Sequence, residues 1–142
     1  MAWAMRDIFN HIYTIELSQN LAWEARRRLD KHRNITIIEG NCGYKLRELA
    51  NAIREPCIFW LDAHYSGGVT AGNNNNISIM SELDIIMARN NDHDIVLVDD
   101  LCDLERAGIY VNDIMQLAAQ FQCTWKSTVL DNIIIMNCYH EI

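Results

Sequence analysis

Acidic and amide side chains recur in this 142-residue chain at one kind of place, directly after short apolar runs. The run His11–Glu16 ends in Glu16, and Ile35–Ile38 leads into Glu39-Gly40-Asn41-Cys42. Cys57–Leu61 leads into Asp62-Ala63-His64-Tyr65, and Ile95–Val98 into Asp99-Asp100. A carboxylate such as Glu16, at the end of an early strand, can accept both hydroxyls of a nucleotide ribose. Beside Ser18 it would equally suit a helix N-terminus, where negative charge is favoured. Asp62, Asp99 and Asp100, if brought together, would repel one another unless a cation or a raised pKa relieved them. An all-oxygen set of that kind suits Mg²⁺ or another hard divalent ion. His64, two residues past Asp62, could be a base, a ligand or a substrate contact, or simply face solvent. Asp and Asn are also favoured in loops for turn chemistry, so each residue alone has a plainer explanation. Their repetition after four runs favours function.

The elements that must position these residues can be read from periodicity. Each run is too short for a stable helix, rich in β-branched or aromatic residues, and apolar on consecutive positions, as in a strand buried on both faces of a parallel sheet. The run Ile133–Met136 reads the same way. Between the runs lie helical stripes. Leu21, Ala25 and Leu29 follow Ser18, a suitable N-cap. Leu46, Leu49, Ala50 and Ile53 form a stripe that Pro56 stops. Ile79, Met80, Leu83, Ile86 and Met87 form the next, and Val111, Ile114, Met115, Ala118 and Phe121 the last. A helix over Ala2–Phe9 opens the chain. Strands alternating with helices imply an α/β sheet with right-handed crossovers and ligands beyond the carboxyl ends of the strands. Cys123–Val129 and Asn132–Tyr139, separated only by Leu130 and Asp131, read as an antiparallel hairpin. The stretch Ser66–Asn76 holds three of the six glycines and four consecutive asparagines, and is read either as a lid over a site or as a plain loop.

Composition narrows the classes. Half the residues are apolar and 22% are charged, as expected of one α/β domain over residues 1–142. The net charge of −7 argues against a nucleic-acid partner, because phosphate neutralisation needs clustered Lys and Arg. The cluster Arg26, Arg27, Arg28, Lys31 and Arg33 is better read as cations at a helix C-terminus. No apolar run approaches the roughly 20 residues of a membrane span. Met1–Asn10 has charges within its apolar stretch, unlike a signal peptide. The five cysteines form no C-x-x-C. These features lead to the expectation of a cytoplasmic chain with reduced thiols and no structural zinc, in which Cys57 and Cys138 are small core residues.

Taken together, IYTIELS, ITIIEGNCG, IFWLDAHYSGG and IVLVDD resemble class I S-adenosylmethionine-dependent methyltransferases. More narrowly, they resemble the small bacterial group whose third motif reads W-L-D-x-H-Y-S-G-G. The resemblance runs from about Ala2 to the final hairpin. It implies a Rossmann-like sheet, mostly parallel with a C-terminal antiparallel hairpin. S-adenosylmethionine would be the cofactor, held at its ribose by Glu16 and flanked at its adenine by Asn41 and Cys42. The family usually has Asp where Asn41 stands, and either side chain offers an acceptor. Asp62 would border the cofactor, Asp62 and His64 would be catalytic, and Asp62, Asp99 and Asp100 would hold a divalent metal. The reaction implied is O-methyl transfer to a small-molecule acceptor.

The resemblance also implies a first strand and an E-x-G-x-x-x-G cofactor loop ahead of Ala2, with Ala2–Phe9 the helix that follows them. The sequence shows neither, and no G-x-G occurs in it. An N-terminally truncated sheet would carry two unpaired edges, at about 1–3 kcal/mol for each buried group left without a partner. The expectation is a homo-oligomer whose interface includes Trp60 or the Ala2–Phe9 helix with Trp3. The competing arrangement pairs the strands at His11–Glu16 and Cys57–Leu61 directly. The alternative function is a shortened, non-catalytic Rossmann-like domain that works by binding or self-association.

Overall fold

β-branched runs and amphipathic stripes become strands and helices in alternation in the computed structural model, which describes residues 1–62 and 79–139. In order these are α1 (Ala2–Met5), β1 (Ile12–Glu16), α2 (Gln19–Leu29), β2 (Ile35–Glu39), α3 (Cys42–Ala52) and β3 (Ile58–Asp62). Then come α4 (Ile79–Met87), β4 (Ile95–Asp99), α5 (Leu101–Arg106), α6 (Val111–Ala118), β5 (Thr124–Leu130) and β6 (Ile133–Tyr139). Ser18 caps α2 through a hydroxyl that accepts from Leu21 N–H, and Asn41 caps α3 through Oδ1, which accepts from Gly43 N–H.

The described strands form two sheets. β1 and β2 pair in parallel, and a second sheet has the order β3-β4-β6-β5. Within it β3 and β4 are parallel, while β6 runs antiparallel to both β4 and β5. The final hairpin thus adds to the parallel pair through its second strand, and its turn puts Asp131 at φ 53. Among the described residues β1 pairs only with β2 and β3 only with β4. Direct pairing of β1 with β3 is therefore not the arrangement adopted.

The core lies around β4 and β6. Val96, Val98, Ile134, Met136 and Cys138 meet Leu83, Ile86 and Met87 of α4 and Ile114 and Ala118 of α6, all 2% exposed or less. Along β6 the buried residues alternate with half-buried ones, the period of two that a strand imposes. Fully burying one such side chain stabilises by about 1.5–3 kcal/mol.

Four expectations from the sequence are corrected. The opening helix ends at Met5 rather than Phe9, because the Asn34 amide donates to the carbonyls of both Arg6 and Phe9 and holds that stretch as a turn. Neither β1, β2 nor β3 is buried on both faces: no residue of β1 or β2 is buried, and Ile58 and Trp60 of β3 are 47% and 38% exposed, each strand having one paired edge among the described residues. In α2 the buried residue is Ala22, while Leu21 is exposed. A separate short helix, α5, precedes α6, and Gly108 at φ 80 turns the chain between them.

The cysteines need a correction too. Cys123 and Cys138 form a disulfide across the hairpin, with Cα atoms 5.9 Å apart, so not all five thiols are reduced. Cys138 is a core residue as expected, whereas Cys57 is half-buried.

Among the described residues one buried ion pair ties the elements together at the amino ends of β3 and β4. Arg89 Nε donates to Asp94 Oδ2 at 2.8 Å, with the two side chains 4% and 1% exposed. Arg89 Nη1 donates to the carbonyls of Ala50 and Ile53 at the end of α3, and Nη2 to that of Glu55 and to Cys57 Sγ. Asp94 Oδ1 accepts from Cys57 N–H at 2.8 Å, just before β3. Removing one partner strands a buried charge, which costs about 3–5 kcal/mol. Arg89→Met should therefore lower unfolding free energy by about that amount in urea titration. A loss below about 1 kcal/mol, the range of an exposed pair, would contradict this role.

Candidate functional site

The carboxyl ends of the parallel strands carry the residues singled out in the sequence. The pairing register sets Glu16 opposite Glu39 and Asp62 opposite Asp99, so acidic side chains end each parallel pair in step. Neighbouring strands lie about 4.8 Å apart, which makes the members of each pair lateral neighbours.

At the β1–β2 end, Ser18 N–H donates to Glu16 Oε1 at 2.8 Å. That bond orients the half-buried carboxylate and leaves Oε2 without a partner among the described residues. Glu39 is instead held by Arg26, whose Nη1 lies 3.3 Å from Oε2. Gly40 makes the sharp exit from β2 at φ 143, and its N–H donates to the Glu16 carbonyl at 2.9 Å. A Cβ there would be strained by that φ and would meet the Lys45 side chain at 3.2 Å. The turn delivers Asn41 and Cys42 to the first turn of α3.

Asn41 has a structural duty, since its Oδ1 accepts Gly43 N–H at 3.1 Å; its amide group remains a donor to this end of the sheet. Cys42 is half-buried against Glu82 of α4. Burial first, and then the Glu82 charge and hydrogen bond, push the Cys42 thiol up to about 12. It stays a neutral thiol at physiological pH and offers no nucleophile, since the thiolate is the reactive form. Burial also raises the Glu82 carboxyl above the usual range, partly offset by the Cys42 hydrogen bond. Glu82 was missed from the sequence, although a signal exists. It stands three residues after Ile79 and four before Ile86, within the apolar stripe of α4 rather than on its polar side.

At the β3–β4 end the three aspartates diverge. Asp62 is exposed and lies beside Asp99, whose Oδ1 accepts Asp100 N–H at 2.9 Å. Asp100 adopts the left-handed conformation at φ 59 and ψ 48, and its Oδ1 accepts the Asn132 amide at 3.2 Å. Asn132 also accepts Cys102 N–H through Oδ1 and Leu101 N–H through its carbonyl, fastening the hairpin turn to the start of α5. Among the described residues, Asp62, Asp99 and Asp100 do not form a set of three ligand atoms within 4.8 Å; the set that does is Asp92, Cys123 and Cys138. The arrangement therefore does not fit a three-carboxylate divalent metal site. His64 and the stretch Ser66–Asn76 lie outside the described residues.

No protein-family model matches the sequence, and no curated protein matches it. Solved structures do. A candidate methyltransferase from Streptococcus mutans, in complex with SAH, superposes with a TM-score of 0.60 at 15% identity, over 95% of this chain and 80% of that one. A candidate rRNA methylase from Clostridium thermocellum gives 0.58 at 10% identity, over 91% and 75%. Precorrin-6y C5,15-methyltransferase from Geobacter metallireducens gives 0.51 at 13% identity, over 91% and 67%. At these identities the likeness is one of fold: the chain has the α/β architecture shared by these methyltransferases.

Proposed function

We propose that this chain binds S-adenosylmethionine at the carboxyl ends of β1 and β2 and supports methyl transfer to a hydroxyl of a small-molecule acceptor. The observation that carries the reading is Glu16, a half-buried carboxylate fixed through one oxygen and open at the other, in the position from which α/β folds grip a ribose. The fold neighbour solved with SAH supports the same ligand class.

The residues fit such a ligand. Glu16 Oε2 accepts ribose hydroxyls, while the Ser18 bond holds the carboxylate in place. The Asn41 amide and the neutral Cys42 thiol border the adenine, backed by Glu82. When bound, S-adenosylmethionine supplies an electrophilic methyl group. The chain's own contribution is to align the acceptor and to receive its hydroxyl proton on a carboxylate at the β3–β4 end, Asp62 or Asp99. Such positioning supplies most of the rate in a transfer of this kind. No step is assigned to a divalent ion, because Asp100 is turned toward Asn132.

A second reading is favoured by the sheet edges. β1 and β3 are each paired on one side among the described residues, and Tyr13, Ile58 and Trp60 beside those edges are exposed, as is Trp3. A non-catalytic domain that self-associates would bury such edges. Light scattering at micromolar concentration should then give at least twice the 16.4 kDa of the chain, falling toward it in Trp60→Glu. A mass of one chain rejects self-association.

The main reading is tested by calorimetric titration with S-adenosylmethionine and SAH. Binding tighter than about 100 μM is expected. Glu16→Gln should weaken it roughly tenfold or more, the loss of a charge-assisted hydrogen bond. No heat up to millimolar ligand, or an unchanged affinity in Glu16→Gln, would overturn it.

A further inference from the structure

We propose that Cys123, Cys138 and Asp92 form a redox-gated site for a zinc-like divalent cation, at the end of the sheet opposite the carboxylates described above. One ligand atom from each lies within 4.8 Å of the others. Both cysteines are buried, 2% and 1% exposed, and Asp92 is half-buried beside them. The three come from separate segments that the backbone fastens together. Cys138 N–H donates to the Asp94 carbonyl at 3.1 Å, and Asp94 N–H to that of Asn91 at 3.2 Å. The bend over Asn91–Asp94, with His93 at φ 69, thereby holds Asp92 against the hairpin. Hairpin pairing holds the other two, with Thr124 opposite Tyr139 and Trp125 opposite Cys138.

With the disulfide closed, the sulfurs bind each other and have no thiolate to offer a cation. A small-molecule thiol opens it: two external thiols become one external disulfide, and the protein gains two thiol groups. Cysteine sulfurs bind a cation as thiolates, and a cation that takes them displaces their protons. A Zn²⁺ ion does so, releasing two protons as it binds two thiolates and one carboxylate, with water in the fourth position. Sulfur and carboxylate donors in this ratio suit a borderline-soft tetrahedral ion rather than Mg²⁺. Zn–S bonds of about 2.3 Å need sulfurs about 3.8 Å apart. The Cα separation of 5.9 Å lets side-chain rotation provide that spacing. Cation and disulfide are then mutually exclusive occupants of one site, so the thiol state of the surroundings decides which holds the hairpin to the Asn91–Asp94 bend.

The test uses the full chain carrying Cys102→Ser, which removes the exposed thiol. It is titrated with Co²⁺ and then Zn²⁺, once after phosphine reduction and once with the disulfide closed. The reduced chain should take up one equivalent of Co²⁺ with thiolate-to-metal charge-transfer absorption that Zn²⁺ abolishes, and the oxidised chain should show none. Asp92→Asn, which leaves both sulfurs, should weaken uptake about tenfold or more, and Cys123→Ser should abolish the charge-transfer band. Absence of the band in the reduced chain, equal uptake by the oxidised chain, or full affinity in Asp92→Asn would overturn the proposal. Should Cys123→Ser fail to fold, the Asp92→Asn comparison and the reduced-against-oxidised comparison still decide.

Discussion

The guanidinium of Arg89 sits where the end of α3, the approach to β3, the end of α4 and the start of β4 come together, and each of its five N–H groups has an acceptor there. Its counter-charge, Asp94, uses one oxygen for Arg89 and the other for Cys57 N–H, so neither partner of the buried pair is left partly satisfied. A buried pair of this quality contributes less to stability than to the uniqueness of the arrangement, since its desolvation offsets much of its attraction. What it specifies is register. With Cys57 and Asp94 locked together, Ile58 must meet Ile95, and four residues later Asp62 must meet Asp99. The placement of acidic groups at one end of the sheet thus follows from an ion pair at the other.

The two ends divide the chemistry. At the carboxyl end, parallel pairing leaves Glu16 oriented by one backbone bond, with α3 entering through Gly40 so that Asn41 and Cys42 border it. Glu82 of α4 completes that wall, and burial first, with the Glu82 charge and hydrogen bond, keeps the Cys42 thiol protonated, which makes the wall a binding surface rather than a reactive one. At the amino end of β4, the same backbone that presents Asp94 to Arg89 presents Asp92 to the hairpin sulfurs.

What the sequence disclosed and what it hid have physical reasons. β1, β2 and β4 were legible as strands because runs such as ITII and IVLV are short and rich in β-branched residues, although only β4 among them has buried residues. The hairpin was legible because only Leu130 and Asp131 separate its strands. The exposure of β3 was not, because it depends on which strands flank it rather than on its own residues. Glu16, Asp62 and Asp99 could be placed at strand ends from their position after apolar runs. The orientation of Asp100 could not be read, since it depends on a left-handed backbone and on a bond to Asn132 made across 32 residues. The Cys123–Cys138 bond, 15 residues apart, escaped for the same reason, and Arg89 with Asp94, only five residues apart, because nothing local shows that the pair is buried. Each looks like an ordinary charged or apolar residue until the fold brings its partner near.

The central claim is that ligand binds beyond the carboxyl ends of the parallel strands, gripped by Glu16. Amide chemical-shift mapping on addition of SAH tests it most directly, because it reports location as well as binding. The account predicts shifts concentrated at Leu17, Ser18, Gly40, Cys42 and Gly43, with little change at Cys57 or the Asn91–Asp94 bend. Shifts centred on the Arg89–Asp94 end, or none at saturating ligand, would contradict it.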